Sequence, residues 1–154
     1  MLSLIYVSTA TVQITAQMVE ELAAEAAENN ARHQISGLLA YNSRSFMQLL
    51  EGEGDPVLAT MHAIERDPRH ENIVYIRQDA RMYRECPDWS MKSLITPVTG
   101  IGSVQVYTGA LPDTMDLDTK ILFTSFASAL TAVGATQHAV NEQDFRDRDA
   151  AASN

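Results

Sequence analysis

Two apolar runs set only two residues apart constrain the fold of this chain more than any other feature. GLLAYN at 37–42 and SFMQLLE at 45–51 are separated by Ser43 and Arg44, a spacing that suits a tight antiparallel hairpin. In the second run, alternation puts Phe46, Gln48 and Leu50 on one face and Met47, Leu49 and Glu51 on the other. Both faces are largely apolar, so this strand is predicted to be central in a sheet. Gln48 stands out there, because a buried amide must find partners for two donors and an acceptor or cost about 1–3 kcal/mol for each group left unsatisfied.

The flanking sequence supplies the rest of a sheet. Residues 2–8, LSLIYVS, read as a strand with Tyr6 on the face of Leu2 and Leu4, ended by the polar stretch Thr9 to Gln13. Thr15 can cap a helix whose stripe is Val19, Leu22, Ala23, Ala26 and Ala27. Glu20, Glu21, Glu25 and Glu28 lie on its other sides, and the helix is expected to fray at Asn29-Asn30. Asp55-Pro56 opens a second helix with Val57, Leu58, Met61 and Ile64 as its stripe, and Pro68 stops it. Strands follow at 73–78 (IVYIRQ) and 89–95 (WSMKSLI), the second with Trp89, Met91 and Ser93 on one face.

This βαββαβ order with one further strand predicts a ferredoxin-like α+β sandwich, a mixed sheet with two helices on one face. A third helix is expected from Asp116 or Asp118, carrying Leu117, Ile121, Leu122, Phe126, Leu130 and Val133 and able to cover the open face. The expected division is a sandwich domain over 1–96, a helical extension over 97–135 and a polar tail over 136–154.

Charge and composition narrow the function classes. With 154 residues the chain has the size of one domain, and a net charge of −9 with a sequence pI near 4.7 opposes direct nucleic-acid binding. Cys86 is the single cysteine, and no secretory signal or membrane span is read, so a cytoplasmic location is expected. Asp55 is read as a helix cap, with Glu51 and Glu53 solvated beside it. His33, His62, His70 and His138 lack metal-ligand spacing, and neither GEG at 52–54 nor GIG at 100–102 is a phosphate loop. No metal and no enzymatic activity are expected.

LIYVS at 4–8, NN at 29–30, ISGLLAYNSRSFMQLLEG at 35–52, RDPRH at 66–70 and WSM at 89–91 together resemble the BLUF family, sensors of blue light using FAD. The resemblance runs from about residue 2 to 95 and makes 1–96 the photosensor. It implies that Tyr6 donates an electron and then a proton to the excited flavin. Gln48, between that tyrosine and the ring, rearranges so that a new hydrogen bond reaches the flavin C4 carbonyl. An amide suits the task because it carries donor and acceptor on one planar group and can exchange them without net charge. The same resemblance assigns Asn30 to the flavin's pyrimidine-like edge, with Asn29 before it also in the flavin site, Ile35, Leu38, Val57 and Ile64 to its walls, and Asp67, Arg69 and His70 to the exit of the second helix. Trp89 and Met91 match the strand that approaches the glutamine and carries the change outward, and either can be the inward one. Ala26 and Ala63 depart from the family, standing where relatives often have a serine and some an arginine.

The function implied is a stand-alone photoreceptor holding FAD non-covalently, with FMN or riboflavin as alternative flavins. It signals to a separate downstream protein, and homo-oligomers would form through the open sheet face and the C-terminal helix. Two other readings are an acylphosphatase-like enzyme on the same scaffold and a light-inert flavin-binding module. Thr9 to Gln13 contains no arginine to serve the first.

Overall fold

In the computed structural model, which describes residues 1–95 and 103–128, the hairpin is formed by β2 (Ser36–Tyr41) and β3 (Ser45–Gly52). Asn42 sets its turn: Oδ1 accepts the N–H groups of Arg44 at 3.2 Å and Ser45 at 2.8 Å, and Ser43 takes a left-handed φ of 71°. The remaining elements are β1 (Leu2–Ala10), α1 (Ala16–Arg32), α2 (Gly54–Glu65), β4 (His70–Ala80), β5 (Lys92–Ile95), α3 (Ser103–Ala110) and α4 (117–128). Expectations that fall on 96–102 and 129–154, including Leu130, Val133 and the tail, lie outside the described residues.

The sheet runs β4-β1-β3-β2-β5, antiparallel throughout except for the parallel pairing of β5 with β2. This is the ferredoxin-like α+β arrangement with β3 at its centre. The alternation read from the sequence holds. Leu4, Tyr6, Phe46 and Leu50 pack with Val19 and Ala23 of α1 and Val57 and Met61 of α2. Ile5, Met47 and Leu49 pack on the opposite side with Tyr107, Leu111, Phe123 and Ala127. The C-terminal helices thus cover, within the same chain, the face expected to be open for pairing between chains.

Several element ends differ from expectation for local reasons. α1 continues to Arg32 instead of fraying at Asn29-Asn30, because Asn30 is 1% exposed and its carbonyl takes the N–H groups of His33 at 3.1 Å and Ile35 at 2.9 Å. α2 starts one residue before Asp55. Glu53 sits at its N-cap with no side-chain bond, and Asp55 faces the helix dipole from the first turn instead of capping it. β4 extends well beyond 73–78 because its whole length pairs with β1 across two register shifts. β5 begins only at Lys92, so 89–91 is not strand and the alternation that put Trp89 and Met91 on one face does not apply. α3, rich in Val, Tyr, Thr and Gly, carries little helix propensity and forms as part of the cover over the second face.

Candidate functional site

Tyr6 of β1 and Gln48 of β3 are direct cross-strand partners, which aims both side chains at the helix-covered face. Tyr6 Oη donates to Gln48 Oε1 at 2.5 Å, and both residues are buried. That bond orients the amide: with Oε1 engaged, Nε2 points to Met91 Sδ at 3.7 Å, and a thioether is a weak acceptor. Burial, with the Asp67 charge as a second cause, raises the Tyr6 pKa well above the ordinary phenol value, so the hydroxyl keeps its proton throughout the physiological range.

A cavity of about 270 Å³ opens between α1 and α2 over this pair, near the lower end of the roughly 300–1,000 Å³ common for small-molecule sites. Leu22, Ala26, Leu39, Phe46 and Ile64 make its apolar surface, and Asn29, Asn30 and Gln48 contribute three side-chain amides. Ala26 and Ala63 project little into the space. Such a slot suits a planar heteroaromatic ring whose edge alternates hydrogen-bond donors and acceptors, since each amide offers both. At the far end of α2, Asp67 takes the Arg69 guanidinium at 2.9 Å and 3.0 Å through Nε, and these bonds hold the Asp67 carboxyl below its usual range. His70 spans from Ser8 Oγ (2.7 Å, Nδ1) to the Ile64 carbonyl (2.6 Å, Nε2). The carbonyl can only accept, so Nε2 carries a proton and donates to it, and the Ser8 hydroxyl can serve Nδ1 as donor or acceptor.

Of the expected site residues, Tyr6, Asn29, Asn30, Gln48, Ile64, Asp67, Arg69 and His70 line this cavity. Ile35 and Val57 are buried in the same core but do not reach it. Leu38 is on the wrong face: it pairs with Leu49, and its neighbour Leu39 pairs with Gln48 and supplies the wall. Met91 contacts Gln48, whereas Trp89 packs with the opposite core and lies under Lys92 Nζ, 4.3 Å from its ring centre. Leu39 and Phe46 were missed although the hairpin register places both on the face of Gln48. Leu22, Glu25 and Thr60 were likewise missed, and a spacing of four residues from Ala26, Asn29 and Ile64 points to them.

The second buried polar cluster lies across the sheet. Glu51, expected at the surface, is 0% exposed. Its carboxylate accepts the N–H of Glu85 at 2.7 Å, the N–H of Cys86 at 3.0 Å and Ser36 Oγ at 3.3 Å, while burial pushes its pKa up. Glu85 is paired with Arg77, and its carboxylate and carbonyl accept from Asp116 N at 3.0 Å and Thr114 Oγ at 2.7 Å. Carboxylate oxygens of Glu85, Asp116 and Asp118 gather within 4.8 Å of one another, and Arg77 and Arg81 account for that grouping. No helix among the described residues is long and apolar enough to cross a membrane.

Comparison with known proteins places this geometry in a family. Residues 1–92 match the model of BLUF, "Sensors of blue-light using FAD". The chain is 39% identical over 61 residues to the blue light- and temperature-regulated antirepressor BluF of Escherichia coli (strain K12), a match covering 40% of this chain and 15% of that protein. It is 32% identical over 91 residues to photoactivated adenylate cyclase subunit beta of Euglena gracilis, covering 58% of this chain and 11% of that protein. The chain therefore spans less than a sixth of the length of either curated relative. The dark-state structure of BlrB, a BLUF protein, superposes with a TM-score of 0.62 at 23% identity over 90% of this chain and 96% of that one, a likeness of fold. With the match spanning 92 of its 154 residues, the chain belongs to the BLUF family and is a flavin-based blue-light photosensor.

Proposed function

We propose that the chain holds FAD non-covalently in the cavity between α1 and α2, admitting FMN or riboflavin through the same ring contacts, and that Tyr6 and Gln48 are its switch. The observation that carries this reading is the short Tyr6–Gln48 bond with Gln48 Nε2 turned to Met91 Sδ. Asn29, Asn30 and Gln48 would hold the ring edge, with Ile64, Leu39 and Phe46 as walls and Asp67, Arg69 and His70 at the mouth. When bound, the flavin supplies the absorption of blue light and, once excited, an acceptor for one electron.

The chain's own part follows from the hydrogen bonds. In the dark Tyr6 Oη keeps its proton and fixes the amide through Oε1. Loss of an electron would turn the Tyr6 phenol into a strong acid whose proton leaves along that bond, through Gln48, to the acceptor of the electron; electron and proton would both return to Tyr6 afterwards, so the amide ends neutral. In the interval the donor that fixed the amide is gone, and Gln48 is free to turn its terminal group. A turned amide sets Oε1 against Met91 Sδ, two atoms that both carry lone pairs, so Met91 shifts and takes β5 with it. The change is small in free energy, on the order of the 0.5–1.5 kcal/mol net of one hydrogen bond, which suits a switch with two nearly balanced states.

Output is assigned to α3 and α4, which meet the loop before β5 through Cys86 and Trp89 in the second core and through the Glu85 bonds to Thr114 and Asp116, and to a separate regulatory protein as partner, in a cytoplasmic setting. Self-association is assigned to outer surfaces such as exposed Leu117 and Ile121 of α4, since the sheet face is covered. The test is Tyr6→Phe: the variant loaded with FAD is expected to lose the light-induced red shift, and a shift persisting in it would overturn the assignment.

A further inference from the structure

Three consecutive residues between the cavity and β5 are held by three different elements. The Trp89 carbonyl accepts the Gly37 N–H of β2 at 2.8 Å. The Ser90 carbonyl accepts Asn30 Nδ2 of α1 at 2.9 Å. Met91 Sδ accepts Gln48 Nε2 of β3 at 3.7 Å. The first anchor is a backbone bond to β2 at a position where only glycine fits, since a Cβ on Gly37 would lie 2.1 Å from the Leu49 carbonyl oxygen. The other two anchors are side-chain amides, and both belong to residues that line the cavity.

Asn30 is the less expected of the two. It is 1% exposed, and its backbone is fixed by the end of α1. Its Nδ2 carries two hydrogens, of which the Ser90 carbonyl takes one, and its Oδ1 has acceptor capacity of its own. One planar group therefore meets the cavity and the 89–91 backbone together. A ligand that engages Asn30 from the cavity restricts its rotation and, through the polarisable amide, strengthens the bond on the other side. Gln48 makes no contact with Ser90, its own partners being Tyr6 and Met91, so the bond to the Ser90 carbonyl depends on Asn30 alone.

We infer that Asn30 is a positioning residue that reports occupancy of the cavity to residues 89–91 independently of Gln48, so that loading and light reach β5 through two separate amides. The inference rests on the flavin site proposed above. It gives the segment three conditions: empty, loaded in the dark, and lit. Loading tightens it through Ser90, and light loosens it through Met91.

Hydrogen exchange of peptides covering 89–95 tests this in flavin-free, dark FAD-loaded and illuminated protein. In the parent chain, loading is expected to slow exchange about two- to tenfold, the equivalent of one net hydrogen bond. Gln48→Leu is expected to keep that loading effect and lose the change on illumination. Asn30→Ala is expected to exchange faster already without flavin and, at FAD saturation judged by absorbance, to show no slowing on loading. A purely structural role for Asn30 would speed exchange in both forms and leave the loading ratio intact, which overturns the inference. So does an unchanged rate at 89–95 in flavin-free Asn30→Ala. If Asn30→Ala does not fold, Asn30→Ser, whose hydroxyl is too short to reach the Ser90 carbonyl, carries the same expectations. A parent protein that takes up FAD without a red shift on illumination removes the proposed switch. One that shifts but shows no loading effect removes this inference alone.

Discussion

Gln48 and Glu51 are three residues apart on the same central strand, both are buried, and they face opposite sides of the sheet. Glu51 is the more costly group to bury, and donors meet it from several sides: two backbone N–H groups and a serine hydroxyl converge on the carboxylate from the loop before β5 and from β2. Gln48 is uncharged, and its environment answers it incompletely. One end has a short, strong bond from Tyr6, and the other has a thioether beside a cavity. A buried polar group with every partner in place rigidifies its surroundings, whereas one with mismatched partners retains a second orientation of similar energy. Glu51 is therefore the pin of this fold, and Gln48 is the group with the partners that the proposed switch requires.

Substitutions that exchange these roles break the comparison, and the largest effect belongs to Glu51. Glu51→Ala orphans the N–H groups of Glu85 and Cys86 and should lower stability by about 3–6 kcal/mol, at roughly 1.5–3 kcal/mol for each bond to a charged acceptor. Denaturant unfolding measures this, and the fraction that folds should keep its light response. Gln48→Leu should change stability by no more than about 1 kcal/mol, because it removes one buried bond and one weak contact while adding apolar volume. Its light-induced shift should vanish while flavin absorbance remains, so the small mutation silences the protein and the large one only weakens it.

Tyr107 sharpens the contrast from the second face. Its hydroxyl is buried and has no hydrogen-bond partner among the described residues, and Tyr107→Phe should raise the urea midpoint by the equivalent of about 1 kcal/mol. The smallest effect is in the pH dependence. Burial raises the Glu51 pKa in the folded state, so the folded chain binds more protons there and stability falls as pH rises from the ordinary carboxylate range through the elevated value. Glu51→Gln should flatten that slope. Asp67 has the opposite sign, because its lowered pKa contributes stability above the ordinary carboxylate range that is lost as pH falls. Unfolding curves at several pH values separate the two.

The fold was legible wherever a period continued through an element. The hairpin, the alternation of β3 and the stripes of α1 and α2 fixed the sandwich and placed Tyr6 beside Gln48. What the sequence hid was pairing that depends on another segment. Leu38 and Leu39 are equally apolar, and only the register with β3 decides which one faces the cavity. WSM at 89–91 reads as strand, but anchors from Gly37, Asn30 and Gln48 hold it out of the ladder and send Trp89 and Met91 to opposite cores. Glu51 looked like a loop carboxylate because its partners are backbone N–H groups some thirty residues away, which leave no side-chain signature.

The most direct test of the switch is the absorption spectrum of the FAD-loaded chain in darkness and after a blue flash. The account predicts an oxidised-flavin spectrum that moves slightly to the red as a whole and returns in the dark, as expected when hydrogen bonding at the ring changes and its oxidation state does not. A bound flavin whose spectrum is the same before and after the flash would contradict it, leaving Gln48 a core amide and the cavity a dark flavin site.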